Sequence, residues 1–299
     1  MIRSFLIICV SILVLFTSGF CFLGKPQNNS TTIKKPSELI LGTYASPPKF
    51  KGGKVDTKLL ISQLIDLNAN TYNWLLLDDS ASIVDLKTFL PLAKKNNINV
   101  WVTILPVTEV GLAKGKYSID LAFWAKKIAV LSKSNSNLTT WSVDDFVHNL
   151  KTYTPNYLLK VQKVTKAINP NLKFVPCCYF PSINQKFANN YKEIMDGIIF
   201  PYRNESNEIN LQNSNNVKSE ILKIKEYLGA NFPVIVDVYS SRHSKLGATS
   251  TNYVAEVIDA AIKNSEGVII YTHPNPLIKK ENFDEKYAAI KTAFSAIKK

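Results

Sequence analysis

Apolar runs of five to eight residues alternate along the chain with longer segments whose apolar positions recur at helical spacing. The runs hold few polar residues, which is typical of parallel strands that are buried on both faces and covered by helices. The eight predicted strands are Leu39–Ser46, Thr71–Leu77, Ile98–Leu105, Thr140–Asp145, Lys173–Phe180, Gly197–Tyr202, Pro233–Tyr239 and Gly267–Thr272.

A helical pattern follows each predicted strand. Asp56 is expected to cap the first helix, and Pro155 stands in a first turn, where proline is favoured. The bounds predicted for five of the helices are 56–68, 82–96, 118–132, 155–168 and 284–297.

Eight strand–helix units in about 260 residues predict an α/β fold. The natural count is a closed (β/α)8 TIM barrel, built as a single domain by residues 38–299. A doubly wound open sheet is the alternative. It is disfavoured because no strand is followed by a glycine fingerprint for dinucleotide phosphates, and Gly52-Gly53 lacks that spacing.

The first 19 residues carry Arg3, an apolar run and then small residues, which is the pattern of a secretory signal peptide. A polar linker is predicted for residues 20–37. The protein is therefore expected to be secreted or displayed at the cell surface. A membrane partner is expected only if the segment stays uncleaved as an anchor or if Cys21 is lipidated, which the preceding Phe20 disfavours.

The formal net charge of +13 comes mainly from lysine, since only Arg3, Arg203 and Arg242 are arginines among 36 basic residues. Phosphate and base-edge recognition favour arginine and clustered basic stripes, whereas these lysines are scattered. Nucleic acid is therefore not an expected partner.

Neither a metal nor an organic cofactor is expected from the sequence. The three histidines, His148, His243 and His273, lack the close spacing of metal-dependent barrel hydrolases. Cys177 and Cys178 alternate across a predicted buried strand, and we expect both to be core residues.

Polar and aromatic residues gather at the predicted strand ends and, with Glu109, in the loop after the third strand, where barrel enzymes place their active sites. Aromatic faces beside carboxylates suit a sugar, which presents apolar ring faces and hydroxyl groups, so a glycan or glycoconjugate is the expected partner. The candidate substrate-binding residues are Tyr44, Asp78, Tyr179, Tyr202, Arg203, Tyr239, Tyr271 and His273. The alternative roles are structural: helix capping for Asp78, closing the barrel top for the tyrosines, and an ion pair with Glu205 or Asp237 for Arg203.

The candidate catalytic residues are Asp144 and Asp145 at the end of the fourth strand and Asp237 on the seventh. Two adjacent carboxylates in an apolar run are costly, because burial penalises their charge and each raises the pKa of the other. General acid/base catalysis would explain the pair. The structural alternative is that the two aspartates cap a helix or order a loop.

The sequence Trp141-Ser142-Val143-Asp144-Asp145-Phe146 at the end of a fourth strand resembles the Asp-Asp signature of barrel glycoside hydrolases, most nearly the β-N-acetylglucosaminidase (O-GlcNAcase-like) type. The resemblance implies that Asp144 orients the substrate acetamido group, which attacks the anomeric carbon. It implies that Asp145 is the general acid and then the general base.

A second mechanism would pair Asp145 with Asp237, as nucleophile about 5 Å away or, at a longer separation, as the base of an inverting enzyme. The sequence thus predicts a secreted glycoside hydrolase. The alternative from another class is a secreted barrel that binds carbohydrate or a surface partner without catalysis.

Overall fold

The computed structural model describes residues 38–76, 80–109, 120–272 and 283–297. The predicted signal segment and linker, residues 1–19 and 20–37, lie outside these ranges and stay predictions.

Eight parallel strands alternate with helices, and their neighbours in the sheet run in the order β5-β4-β3-β2-β1-β8-β7-β6. The first and last strands of the chain, β1 and β8, pair with each other in parallel, as a barrel requires. The strands are β1 (Ile40–Tyr44), β2 (Thr71–Leu76), β3 (Asn99–Ile104), β4 (Leu138–Val143), β5 (Lys173–Phe174), β6 (Ile198–Pro201), β7 (Val234–Tyr239) and β8 (Gly267–Tyr271). The predicted α/β fold, a (β/α)8 barrel, is confirmed.

The strands β5 and β6 stand at the two ends of this order, and a short irregular segment joins them to close the barrel. We call this junction the seam. Cys177 forms a parallel bridge with Ile199. The amide of Cys178 donates to the carbonyl of Ile199 at 2.8 Å, and the amide of Ile199 donates to the carbonyl of Pro176 at 2.9 Å. On the other side, the amide of Cys177 donates to the carbonyl of Val143 at 3.0 Å. Residues 175–178 therefore connect β4 to β6.

The predicted fifth strand, Lys173–Phe180, is too long, because β5 ends at Phe174. Pro176 has no amide hydrogen and cannot donate to a neighbouring strand, so a regular ladder cannot continue through it.

Eight helices are described around the strands. Asp56 caps α1, its side chain accepting from the amide of Leu59 at 2.9 Å, and Pro155 opens α4, as predicted. Within the described ranges, no helix combines the length and the apolarity that crossing a bilayer requires. The helices are α1 (Thr57–Asp66), α2 (Ser80–Lys95), α3 (Leu121–Ser134), α4 (Pro155–Ile168), α5 (Gln185–Tyr191), α6 (Val217–Leu228), α7 (Thr251–Asn264) and α8 (Phe283–Ile297).

Side chains alternate between the barrel interior and the layer under the helices, because successive residues of a strand point to opposite faces. A small apolar cluster fills the interior, and a larger one lies between strands and helices. The buried members of the interior cluster are Tyr44, Trp101, Val175, Ile199, Ile235 and Ile269. On each strand, side chains two positions away from a member of this cluster also point into the barrel interior. Near the C-terminal ends of the strands, such side chains can reach the mouth, which is the open end of the barrel on that side.

Gly267→Ala should disrupt the contact between β8 and β1. A methyl group at Gly267 would lie 2.1 Å from the carbonyl oxygen of Ile40, at a φ of +137° that L residues rarely adopt. We expect the free energy of unfolding, measured by urea denaturation, to fall by at least about 2 kcal/mol.

Gly52→Ala is the matched control, since nothing lies within 4 Å of the added atom and the backbone has no positive φ there. Its unfolding free energy should stay within about 0.5 kcal/mol of the wild type. Equal losses in the two variants would contradict the close approach of β8 to Ile40.

Candidate active site

Four carboxyl groups gather at the C-terminal mouth of the barrel, where this fold places its active sites. Asp144 and Asp145 follow β4, Asp237 lies in the second half of β7, and Glu109 ends a short helical turn after β3. Electrostatic interactions connect Asp144 to the other three.

Asp144 directly follows β4 and points into the barrel interior, as does Ser142 two residues before it. Its two carboxylate oxygens accept hydrogen bonds from the Tyr44 hydroxyl at 2.9 Å and from the Asp145 amide at 3.0 Å. Burial, followed by the charge of Asp145, raises the pKa of Asp144, and the Tyr44 hydrogen bond opposes this shift. Two hydrogen-bond donors thus fix the orientation of the Asp144 carboxyl group, although burial disfavours its ionised form.

Asp145 adopts a left-handed backbone conformation, with φ 44° and ψ 35°. It precedes the helical turn Phe146–Asn149, but its side chain makes no capping hydrogen bond to that turn. Instead, the carboxylate accepts from the Tyr179 hydroxyl at 2.6 Å and lies 3.8 Å from His148 Nδ1. The structural alternative of helix capping is therefore wrong for Asp145.

Glu109 shares a hydrogen bond with Asp145. Burial, the negative charges of Asp144 and Asp145, and this hydrogen bond together raise the pKa of Glu109 from 4.5 to about 7. A carboxyl group that keeps its proton near neutral pH beside an ionisable partner can donate that proton.

Asp237 is 4% exposed and faces the interior from β7. Its Oδ1 has no hydrogen-bond partner among the described residues. Burial, followed by the charge of Asp144, raises the pKa of Asp237 well above its usual range. Within the described part of the chain, the four carboxyl groups have one basic side chain within ion-pair distance, which is His148 beside Asp145.

Tyrosines line the mouth in two different ways. Tyr44 and Tyr179 direct their hydroxyls to Asp144 and Asp145, so they position carboxylates. Tyr239 and Tyr271 contact each other with ring centroids 5.2 Å apart, and His243 lies 4.7 Å from the Tyr239 ring. The second group forms an aromatic wall beside the acids.

Arg203 forms its ion pair with Glu205, as one of the two alternatives predicted. Its guanidinium also lies 4.1 Å from the centroid of the Tyr179 ring. Arg203 thus packs on the residue that holds Asp145.

The structure does not bring every predicted residue to the mouth. Tyr202 is fully buried, and its side chain points from the end of β6 toward the helices. The alternate residues Ile199, Pro201 and Arg203 are the ones that face the barrel interior. Its hydroxyl donates to the carbonyl of Asn213 at 2.7 Å, away from the carboxyl groups. Asp78 and His273 lie outside the described residues.

Two residues of this cluster, Cys177 and Glu109, were not among the predicted catalytic or substrate-binding residues. Cys177 is a buried core residue, as expected, but its thiol also points to the barrel interior and hydrogen-bonds with Asp144. Counting alternate residues from Val175 to Cys177 and Tyr179 would have found it. Glu109 follows a strand end in a loop, and no periodicity tells where a loop side chain points.

No family model and no curated protein matches this sequence. Solved structures match at 10–14% identity. A β-galacturonidase from Eisenbergiella tayi, bound to galacturonate, is 12% identical at a TM-score of 0.57, over 86% of this chain and 51% of that one. This chain therefore spans about half the length of that enzyme.

This chain matches two further solved structures over a larger share of their own length. An endo-β-1,4-mannanase from Thermotoga petrophila is 10% identical at a TM-score of 0.60, over 88% of this chain and 78% of that chain. A protein described as glycoside hydrolase-like is 12% identical at a TM-score of 0.61, over 91% and 98%. The protein thus has the barrel fold found in these glycoside hydrolases, and at such identity the likeness establishes the fold alone.

Proposed function

We propose that the protein is a glycoside hydrolase that acts on a glycan or glycoconjugate by carboxylate acid/base catalysis. The observation that carries the proposal is the Asp145–Glu109 pair. The Asp145 carboxylate is held by Tyr179 instead of capping a helix, and its neighbour Glu109 has a pKa raised to about 7. A protein that only binds sugars has no need for such an acid in its cleft.

The proton for the leaving group would come from this pair. Asp145 and Glu109 share a hydrogen bond, so a single proton can be held between two carboxylates whose like charges resist double ionisation. Asp145 would pass this single proton to the glycosidic oxygen as that bond breaks, which leaves both carboxylates of the pair ionised. Asp145 then accepts a proton from the attacking water in the second half of the reaction.

Asp144 would serve the opposite side of the reaction centre. Its carboxylate is fixed by the Tyr44 hydroxyl and the Asp145 amide, which suits a group that orients a substrate acetamido group or stabilises positive charge at the anomeric carbon. Asp237 is the alternative second carboxylate, from β7. The preferred sugar would distinguish acetamido assistance from a protein nucleophile.

The aromatic wall of Tyr239, Tyr271 and His243 offers ring faces and edges for a pyranose beside the acids. The structural neighbours named as glycosidases support a glycan substrate at this general level. The predicted signal segment is the basis for proposing that the enzyme is secreted or displayed at the cell surface.

Asp145→Asn should lower kcat/KM by at least about two orders of magnitude on glycosides whose leaving group needs protonation. The loss should be smaller with a nitrophenyl leaving group, which departs with little help from an acid. A panel of alkyl and aryl glycosides, including an N-acetylglucosaminide, would measure both effects.

Asp259→Asn is the control, because Asp259 lies on the exposed face of α7 beside Lys263. It should keep the wild-type rate within about twofold. An Asp145→Asn protein that turns over every substrate as well as the wild type would refute the assignment. Glycan binding without turnover in either protein would favour the non-catalytic carbohydrate-binding alternative.

Glu109→Gln should change how stability depends on pH. The folded chain holds the Glu109 proton more tightly than the unfolded chain, so the protonated group stabilises the fold below pH 4.5 and this stabilisation is lost as the pH rises through about 7. Tm of the wild type should therefore fall relative to Tm of Glu109→Gln between these pH values. Calorimetry at several pH values would measure it, and a constant difference would show that the pKa of Glu109 is not raised.

A further inference from the structure

A thiol lies among the carboxyl groups at the mouth of the barrel. We propose that Cys177, Asp144 and Asp145 bind a thiophilic divalent cation of the Zn²⁺ type, with a water molecule as the fourth ligand. One sulfur atom from the Cys177 thiol and one oxygen atom from each of the two aspartates lie within 4.8 Å of one another.

The backbone fixes the thiol in this position. Cys177 hydrogen-bonds through its amide to Val143, the residue before Asp144, and bridges to Ile199 on β6. Its side chain points to the interior and contacts Asp144. The ligands thus come from adjacent strand ends, which the barrel holds side by side.

Asp237 is the independent sign that a ligand belongs here. It is 4% exposed, its Oδ1 has no hydrogen-bond partner in the described part of the chain, and it interacts electrostatically with Asp144 and with Cys177. A buried carboxylate oxygen without a partner is costly. A cation bound beside it by Cys177, Asp144 and Asp145 would offset this cost through its positive charge.

The donor set selects the kind of cation. Thiolate with carboxylates suits Zn²⁺ or Cd²⁺, whereas Mg²⁺ and Ca²⁺ prefer oxygen alone. Ligand atoms around one Zn²⁺ lie roughly 3.5 Å apart, given bonds of about 2.3 Å to sulfur and 2.0–2.2 Å to oxygen. Side-chain rotation can bring three atoms from within 4.8 Å to that spacing. As the metal–sulfur bond forms, the thiol proton leaves to solvent.

Occupation of this site would stop acid/base catalysis, because Asp144 and Asp145 would be metal ligands. The inhibition rests on the proposed function, but binding of the cation does not. The site would make the enzyme reversibly sensitive to free Zn²⁺, with a chelator restoring the activity.

Cd²⁺ titration of the purified, reduced chain tests binding through the thiolate-to-cadmium absorption in the ultraviolet. The wild type should show one more thiolate-bound equivalent than Cys177→Ser. Cys178→Ser is the matched control, since Cys178 is the neighbouring buried thiol on the outer register, and it should keep the wild-type signal. The three proteins share every other cysteine of the chain. Asp144→Asn retains the thiol and should weaken binding at least about tenfold.

X-ray absorption of the wild type with one equivalent of Zn²⁺ tests the site without any substitution. We expect one sulfur at about 2.3 Å and oxygens at about 2.0–2.2 Å. A shell without sulfur, a shell with two sulfurs, or equal Cd²⁺ signals in wild type and Cys177→Ser would overturn the proposal.

Activity assays separate the two proposals. Zn²⁺ binding in a chain without glycosidase activity would sustain the metal site and reject the hydrolase. Glycosidase activity that Zn²⁺ leaves unchanged, in a chain that binds no Cd²⁺ at Cys177, would do the reverse.

Discussion

Closure of the sheet between β5 and β6 is the constraint on which the site depends. The ladder of β5 covers only two residues, so residues 175–178 hold the seam through hydrogen bonds to β4 on one side and β6 on the other. Those bonds place Cys177 against Asp144 and Tyr179 against Asp145. A seam built from so few bonds therefore sets the positions of the thiol and of the tyrosine that orients the acid.

Like charge is the second organising feature of the mouth. Burial raises the pKa of Glu109, Asp144 and Asp237, and each is raised further by a neighbouring carboxylate. Tyrosine hydroxyls moderate the repulsion by donating to Asp144 and Asp145. Crowded carboxyl groups favour binding a positive charge, whether it is a proton, as at Glu109 with its pKa of about 7, or a cation. The proposed acid catalysis and the proposed metal binding would be two uses of one electrostatic arrangement.

The strands and helices could be predicted because buried parallel strands leave long apolar runs in the sequence. The acid pair could be predicted because it breaks such a run. Tyr202 was misplaced since only its position near a strand end was considered, whereas the two-residue alternation of β6 points it outward. Glu109 could be placed in the loop after the third strand, but its contact with Asp145 could not be predicted, because loop conformation depends on contacts that leave no repeat in the sequence. The short β5 was signalled by Pro176, whose effect on the ladder outweighs the apolar residues around it.

The left-handed backbone of Asp145 limits which acid this position can carry. A non-glycine residue in that conformation costs about 1–2 kcal/mol, and short polar side chains such as aspartate and asparagine bear the cost best. A glutamate would gain a methylene of reach but would tolerate the backbone less well. The distance that the carboxylate can extend into the cleft is therefore set by a backbone torsion, which ties the choice of aspartate to the shape of the turn that follows β4.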